Sequence, residues 1–148
     1  MKLFEVAARR FSVLVVYNEE GSCQVMEKMR RVRVEHQDLA YQMGVLLYQE
    51  IPDRGLPDDP RRFGRLYDEM IYELKALEYV TPSERLGFRI ACFFDGEAIV
   101  CTNAFYKKDK TPPDQVSLAL RERARYFRDK DLRQIDLISW RPGGQEHD

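Results

Sequence analysis

The sequence predicts a single α+β domain in which an N-terminal strand and a helical hairpin pack on an antiparallel sheet, with a C-terminal helix closing the chain. Three observations carry that expectation: a β-branched run at 11–17, apolar residues at helical spacing from Val25 to Leu47, and an Asp95-Gly96 turn between two β-rich runs. A chain of 148 residues can bury one core, and 44% hydrophobic content spread along it argues against general disorder. The core is expected over about 11–128, with 129–148 a partly disordered extension.

Phe11-Ser12-Val13-Leu14-Val15-Val16-Tyr17 is β-branched and aromatic, and Asn18-Glu19-Glu20-Gly21 ends it with turn chemistry. Ser22 can then cap a helix, in which Val25, Met29, Val32, Leu39, Met43, Leu46 and Leu47 recur at helical spacing to about Gln49. The pattern allows one long helix or a hairpin turning near His36, and the hairpin is favoured. Residues 52–60 hold three prolines and read as a loop, because proline lacks the N–H that helices and ladders use. Strands follow at 70–77 and 86–94, and the Asp95-Gly96 hairpin joins the second to 98–102.

Thr111-Pro112-Pro113-Asp114 starts the last helix, with a Thr cap, Pro at the first helical position and an acidic side chain three residues after the cap. Val116, Ala119, Leu120, Ala124 and Phe127 line its apolar face, opposite a basic strip of Arg121, Arg125 and Arg128. Residues 135–140 suit a short strand or docked segment, and 143–148 read as disordered. One face of the sheet is left for the first helices to cover.

The net charge of −1 conceals a division along the chain: +3 over 1–34, −6 over 35–84, +4 over 85–133 and −2 over 134–148. Such asymmetry is compatible with a polyanion-binding face, although from charge alone a solvated surface is the simpler reading. Cys23, Cys92 and Cys101 are odd in number, form no Cys-x-x-Cys pair and sit in apolar patterns. Free buried thiols are expected, a Cys92–Cys101 bridge being thinkable only on paired strands. His36 and His147 lack partners at metal-ligand spacing, so neither a structural metal nor a cofactor is expected, and His36 reads as a structural residue of its helix. No stretch reaches the roughly 18 apolar residues of a membrane span, and no signal-like region follows Met1, which leads to the expectation of a cytoplasmic protein without membrane contact.

Four motifs bear on function: Tyr72-Glu73-Leu74-Lys75, Phe88-Arg89-Ile90, Phe93-Phe94-Asp95-Gly96 and Phe105-Tyr106-Lys107-Lys108-Asp109-Lys110-Thr111-Pro112. In them, residues 67–127 resemble the RelE/ParE superfamily of toxins, specifically the phage-derived, HigB-like branch, while 11–66 agree in element order. The resemblance implies a RelE-like domain and the toxin of a type II toxin-antitoxin system. Such a toxin is an endoribonuclease, an mRNA interferase that cleaves mRNA, commonly on the ribosome, and is held inactive by a cognate helix-turn-helix antitoxin. The alternative is a non-catalytic protein of the same fold, a phage accessory or gyrase-binding relative that uses its basic face for partner contact.

Cutting RNA through its own 2′-hydroxyl, without metal, requires removal of that proton, stabilisation of charge on the phosphorane-like transition state, and protonation of the leaving 5′-oxygen. Cations supply the second need. By the resemblance, Arg89 matches the family's strand arginine, Lys107 and Lys108 the basic end of the last strand, and Lys75 a position where relatives often have arginine. Arg89 also suits a salt bridge to Glu73 or Glu97. Among cations, a lysine is the candidate base, with Tyr106 or Tyr126 sharing the proton work. Lys110, Arg121, Arg125 and Arg128 are candidate RNA contacts, and Phe105 with Tyr106, Phe93 and Phe94 offers stacking faces.

Overall fold

The structure, a computed structural model, describes residues 1–141 and 145–147. Among these, strands β1 (Lys2–Ala8), β2 (Ser12–Val16), β3 (Phe63–Tyr67), β4 (Ile71–Thr81), β5 (Glu84–Asp95), β6 (Ala98–Lys107), β7 (Asp136–Arg141) and β8 (Gln145–His147) form one eight-stranded sheet. Their spatial order is β3-β4-β5-β6-β2-β1-β7-β8. The meander β3 to β6 is antiparallel, whereas β2 pairs parallel with β6, and β1 parallel with β7, so the sheet is mixed. In the expected hairpin, Asp95 pairs with Ala98 around a two-residue turn whose first residue, Gly96, has φ 60°.

Several sequence expectations change here. β1 precedes the expected first strand, β3 precedes the expected meander, and β7 lies beyond the expected core boundary, all in the same sheet. Gln145–His147 is a strand rather than disordered chain, while 142–144 and 148 lie outside the described residues.

Helices α1 (Gln24–Glu35) and α2 (Gln37–Val45) part at His36, the turning point the sequence favoured. The His36 N–H closes α1 on the Val32 carbonyl at 2.6 Å, and its own carbonyl accepts the Ala40 N–H at 3.1 Å. The helical path then runs past Gln49 through a π-helical turn, Leu46–Glu50, into α3 (Ile51–Arg54), so Pro52 sits in a helix and not in a loop. The missing N–H is replaced from elsewhere: Arg9 Nη2 donates to the carbonyl of Tyr48, four residues before Pro52, at 2.7 Å and to that of Gln49 at 3.3 Å.

The first helices cover one face of the sheet, as expected, and α4 (Pro113–Asp131) covers part of the other. Val13 and Val15 join Leu74, Phe88, Ile90 and Cys101 under α1 and α2, whereas Leu14 and Val16 join Phe93, Val100 and Tyr126 under α4. Burial on both faces explains the near-continuous apolar run in β5 and β6. Cys92 and Cys101 stand opposite each other in the β5–β6 ladder, and both are free and fully buried.

Helix α4 begins one residue later than expected, with Pro113 at the first helical position and Pro112 before it at ψ 129°. A residue preceding proline is held out of the helical region, so Pro112 cannot open the helix itself. The buried stripe of α4 is Ala119, Glu122, Tyr126 and Asp129, while Ala124 is exposed. The expected apolar face is thus rotated, because polar partners outside the helix share in the packing: Tyr126 donates to Asp95 at 2.7 Å, Arg125 to the Tyr17 carbonyl at 3.0 Å, and Asp129 accepts from the Met1 amino group at 2.6 Å.

Candidate nucleic-acid interface

On the α4 side of the meander, cross-strand register builds successive rows, Glu73–Ala91–Asn103, Lys75–Arg89–Phe105 and Leu77–Gly87–Lys107. Helix α4 covers the first of these and the Phe105 end of the second, through Ala119 against Ala91 and Phe105 and through a hydrogen bond from Asn103 to Gln115. The remaining positions are open. They form a hollow of about 290 Å³ lined by Arg61, Lys75, Arg85, Arg89, Lys107 and Lys108, with Asp109 as the one carboxylate among its described lining residues.

Two glycines shape this hollow. A Cβ on Gly87 would come within 2.9 Å of Arg89 Nη1 and 3.0 Å of the Lys107 carbonyl oxygen, and one on Gly64 within 2.9 Å of Lys75 Nζ. Glycine inside a strand often marks such a close approach. Lys75 Nζ also donates to the Pro60 carbonyl at 2.9 Å, and Arg89 Nη1 to that of Ala76 at 3.3 Å, so both cations are held over the sheet surface.

Arg89 does make the salt bridge to Glu73, at 3.6 Å, and its side chain is 15% exposed. Burial draws the Arg89 guanidinium below its ordinary value while Glu73 opposes that shift, and an arginine stays charged under any ordinary condition. Arg61 is held by Asp59 at 3.0 Å. The hollow keeps a surplus of positive charge, which sets up a local potential that attracts anions.

The predicted residues divide cleanly. Lys75, Arg89, Lys107 and Lys108 come together in the hollow. Lys110 is exposed in the loop after β6 and does not line it. Arg121 borders a separate groove with Asn18, Gln24 and Thr102; Arg125 donates to the Tyr17 carbonyl at 3.0 Å and binds Glu122; Arg128 pairs with Asp129. Of the expected basic strip, Arg125 is taken up by the packing of α4, while Arg121 and Arg128 stay exposed outside the hollow. Phe105 is 4% exposed and belongs to the core, which removes it as a stacking platform. Tyr106 points to the opposite sheet face, against Phe88 and His36, where burial first and Glu35 next hold its phenol above the ordinary value. Its role beside Lys107 is thus corrected: strand alternation puts neighbours on opposite faces. Tyr126 is likewise committed, to Asp95.

Some lining residues escaped the sequence reading. Arg61 comes from the proline-rich segment and Arg85 from the start of β5; Tyr79 does not line the hollow but pairs with Arg85 across the β4–β5 ladder and is 64% exposed. The signal for Tyr79 was the alternation Lys75, Leu77, Tyr79 itself. A second cleft, of about 550 Å³, adjoins the hollow through shared Arg85, Lys108 and Asp109, and there His36 bonds Glu78 through Nδ1 at 2.8 Å. His36 read as structural because its partner lies far along the chain, on β4.

In comparisons with known proteins, no family model, no curated protein and no solved structure matches the chain. No helix among the described residues is long and apolar enough to cross a membrane.

Proposed function

We propose that this protein acts on RNA, as an mRNA-cleaving toxin of the RelE type that attacks through the 2′-hydroxyl and is neutralised by a cognate antitoxin. One observation carries the reading: Lys75, Arg89, Lys107 and Lys108, separated by more than thirty positions in sequence, line one open hollow together with Arg61 and Arg85. A phosphodiester in that hollow meets cations from three neighbouring strands and the loop after them. Those cations bind the doubly charged transition state more strongly than the singly charged ground state, which is the requirement for catalysis rather than mere binding. Tyr79, paired in the β4–β5 ladder with the lining residue Arg85, is an exposed ring on which a base can stack.

The test is direct. Purified protein added to ribosome-bound message is expected to release fragments with 2′,3′-cyclic phosphate ends, and Arg89→Ala to abolish the release. Intact message with the wild-type protein, under conditions in which it blocks gyrase, would favour the non-catalytic partner-binding alternative instead.

A further inference from the structure

We propose that Glu73, buried at the inner end of the hollow, is the positioning residue that aims the Arg89 guanidinium at the scissile phosphate; this rests on the reading of the hollow as an RNA-cleaving site. Glu73 stands on β4 one row inward from Lys75 and opposite Ala91, so Arg89, two residues before Ala91 on β5, is its diagonal neighbour across the ladder. Both side chains lie on the face that carries Lys75 and Lys107, since alternate positions of a strand share a face. Glu73 is 4% exposed, and its one ion pair among the described residues is with Arg89 Nε, at 3.6 Å. That separation is too long for a hydrogen bond, and Glu73 Oε2 and Arg89 Nε are both buried without a hydrogen-bond partner among the described residues. A carboxylate taken out of water and left half satisfied is unfavourable, and an apolar side chain of its size would pack there more favourably. The charge is therefore explained by its effect on Arg89 rather than by stability.

Three contacts hold the guanidinium. Nη1 donates to the Ala76 carbonyl at 3.3 Å; the group lies over Gly87, where an added Cβ would meet Nη1 at 2.9 Å and Cζ at 3.3 Å; and the Glu73 charge draws Nε inward. Nη2 makes no hydrogen bond among the described residues and is the donor left for an anion in the hollow, which Arg89 lines with Lys75, Lys107 and Lys108. A guanidinium is a planar fork, so holding Nε and Nη1 sets the direction in which Nη2 donates. Without Glu73 the charge of Arg89 remains but its aim is lost. Holding a phosphate needs chiefly the charge, whereas stabilising the phosphorane needs a donor directed at the oxygen that gains charge. Removing Glu73 also deletes a negative charge from beside the cations, which favours an anion in the ground state.

The test separates aim from charge, through cleavage of ribosome-bound message with kcat and KM read apart and through fluorescence anisotropy with a short RNA. Glu73→Gln is expected to lower kcat by about 10²-fold, as a misplaced group does, with KM unchanged and the short RNA bound at least as tightly as by the wild type. Glu73→Asp keeps the charge on a shorter arm and is expected to lose less; where Glu73→Gln fails to fold, Glu73→Asp carries the same comparisons. In an Arg89→Lys background, which keeps a cation but not the fork, the Glu73 substitution is expected to have no further effect on kcat. A merely structural Glu73 would lower kcat equally in both backgrounds. Full kcat in Glu73→Gln, or equal losses in the two backgrounds, would overturn the inference while leaving the RNA reading intact. An inert wild-type protein overturns that reading itself, and the inference with it.

Discussion

The guanidinium of Arg89 lies across Gly87, two residues before it on β5, in space that any side chain would claim, at 2.9 Å from where a Cβ would stand. Gly87→Ala is therefore expected to push Arg89 off the sheet, and also to press on the Lys107 carbonyl of β6, 3.0 Å from the added Cβ. RNA affinity should fall about tenfold, or about 1.4 kcal/mol. Fluorescence anisotropy with a short RNA measures this, and an unchanged Kd together with an unchanged circular dichroism spectrum would count against the placement of Arg89 in the site.

Phosphate contacts leave a signature in salt. Lys75→Ala and Lys107→Ala are each expected to flatten the plot of log K against log salt by about 0.7 for single-stranded RNA, one released counterion per lost contact. Arg121→Ala and Arg128→Ala, which lie outside the hollow, should leave the slope unchanged. Equal slopes for all four variants would place the RNA elsewhere.

The Arg9 contact with Tyr48 gives a stability prediction. Arg9→Ala leaves the Tyr48 carbonyl without its donor and is expected to cost about 1–2 kcal/mol, more than an exposed pair with Asp53 would account for. Pro52→Ala restores a backbone N–H, so it should cost less in the Arg9→Ala background than in the wild type. Urea unfolding of the four proteins in a double-mutant cycle measures the coupling, expected to exceed about 0.5 kcal/mol. Strict additivity would show that Arg9 does not stand in for the missing N–H.

Asp95 predicts an acid limb. Lys130 foremost, and the Tyr126 hydroxyl, hold its carboxyl below the ordinary aspartate range. The folded value is the lower one, so the stabilisation is complete above the unfolded value of about 4 and is lost as pH falls through the folded value. Asp95→Asn should cost about 1 kcal/mol at pH 7, and the difference in Tm from wild type should shrink as pH drops from about 5 towards 2. A constant difference over that range would contradict the assignment.

Much of the meander was legible because its signals are local: β-rich runs at 70–77, 86–94 and 98–102, and a turn whose glycine has positive φ. β1 and β3 were not, for different reasons. β1 mixes charged Lys2 and Glu5 with apolar residues, and besides its antiparallel pairing with β2 it pairs parallel with β7, a partner that no local pattern announces. β3 carries Gly64 where strand propensity is weakest, yet that glycine is what admits Lys75. Lys75, Arg89, Lys107 and Lys108 were singled out in the sequence through the family resemblance, and the strand register brings them to one hollow. Arg61 reaches it from the loop before β3, so only tertiary contacts reveal it. The buried stripe of α4 was not legible from hydrophobicity alone, because Tyr126, Arg125 and Asp129 bond to Asp95, the Tyr17 carbonyl and the Met1 amino group, partners far away in sequence.

The parallel pairings of β2 with β6 and β1 with β7 set an order of assembly. While the chain is being synthesised, the first β-ribbon waits, its outer hydrogen-bonding edges open, until the meander and then the last helix have left the exit tunnel. Closing such long loops is entropically slow, so the meander should form early and the joining of the two ribbons late. Since the cations of the hollow belong to the early-forming part, a nascent chain acquires its phosphate-attracting surface before its sheet is complete.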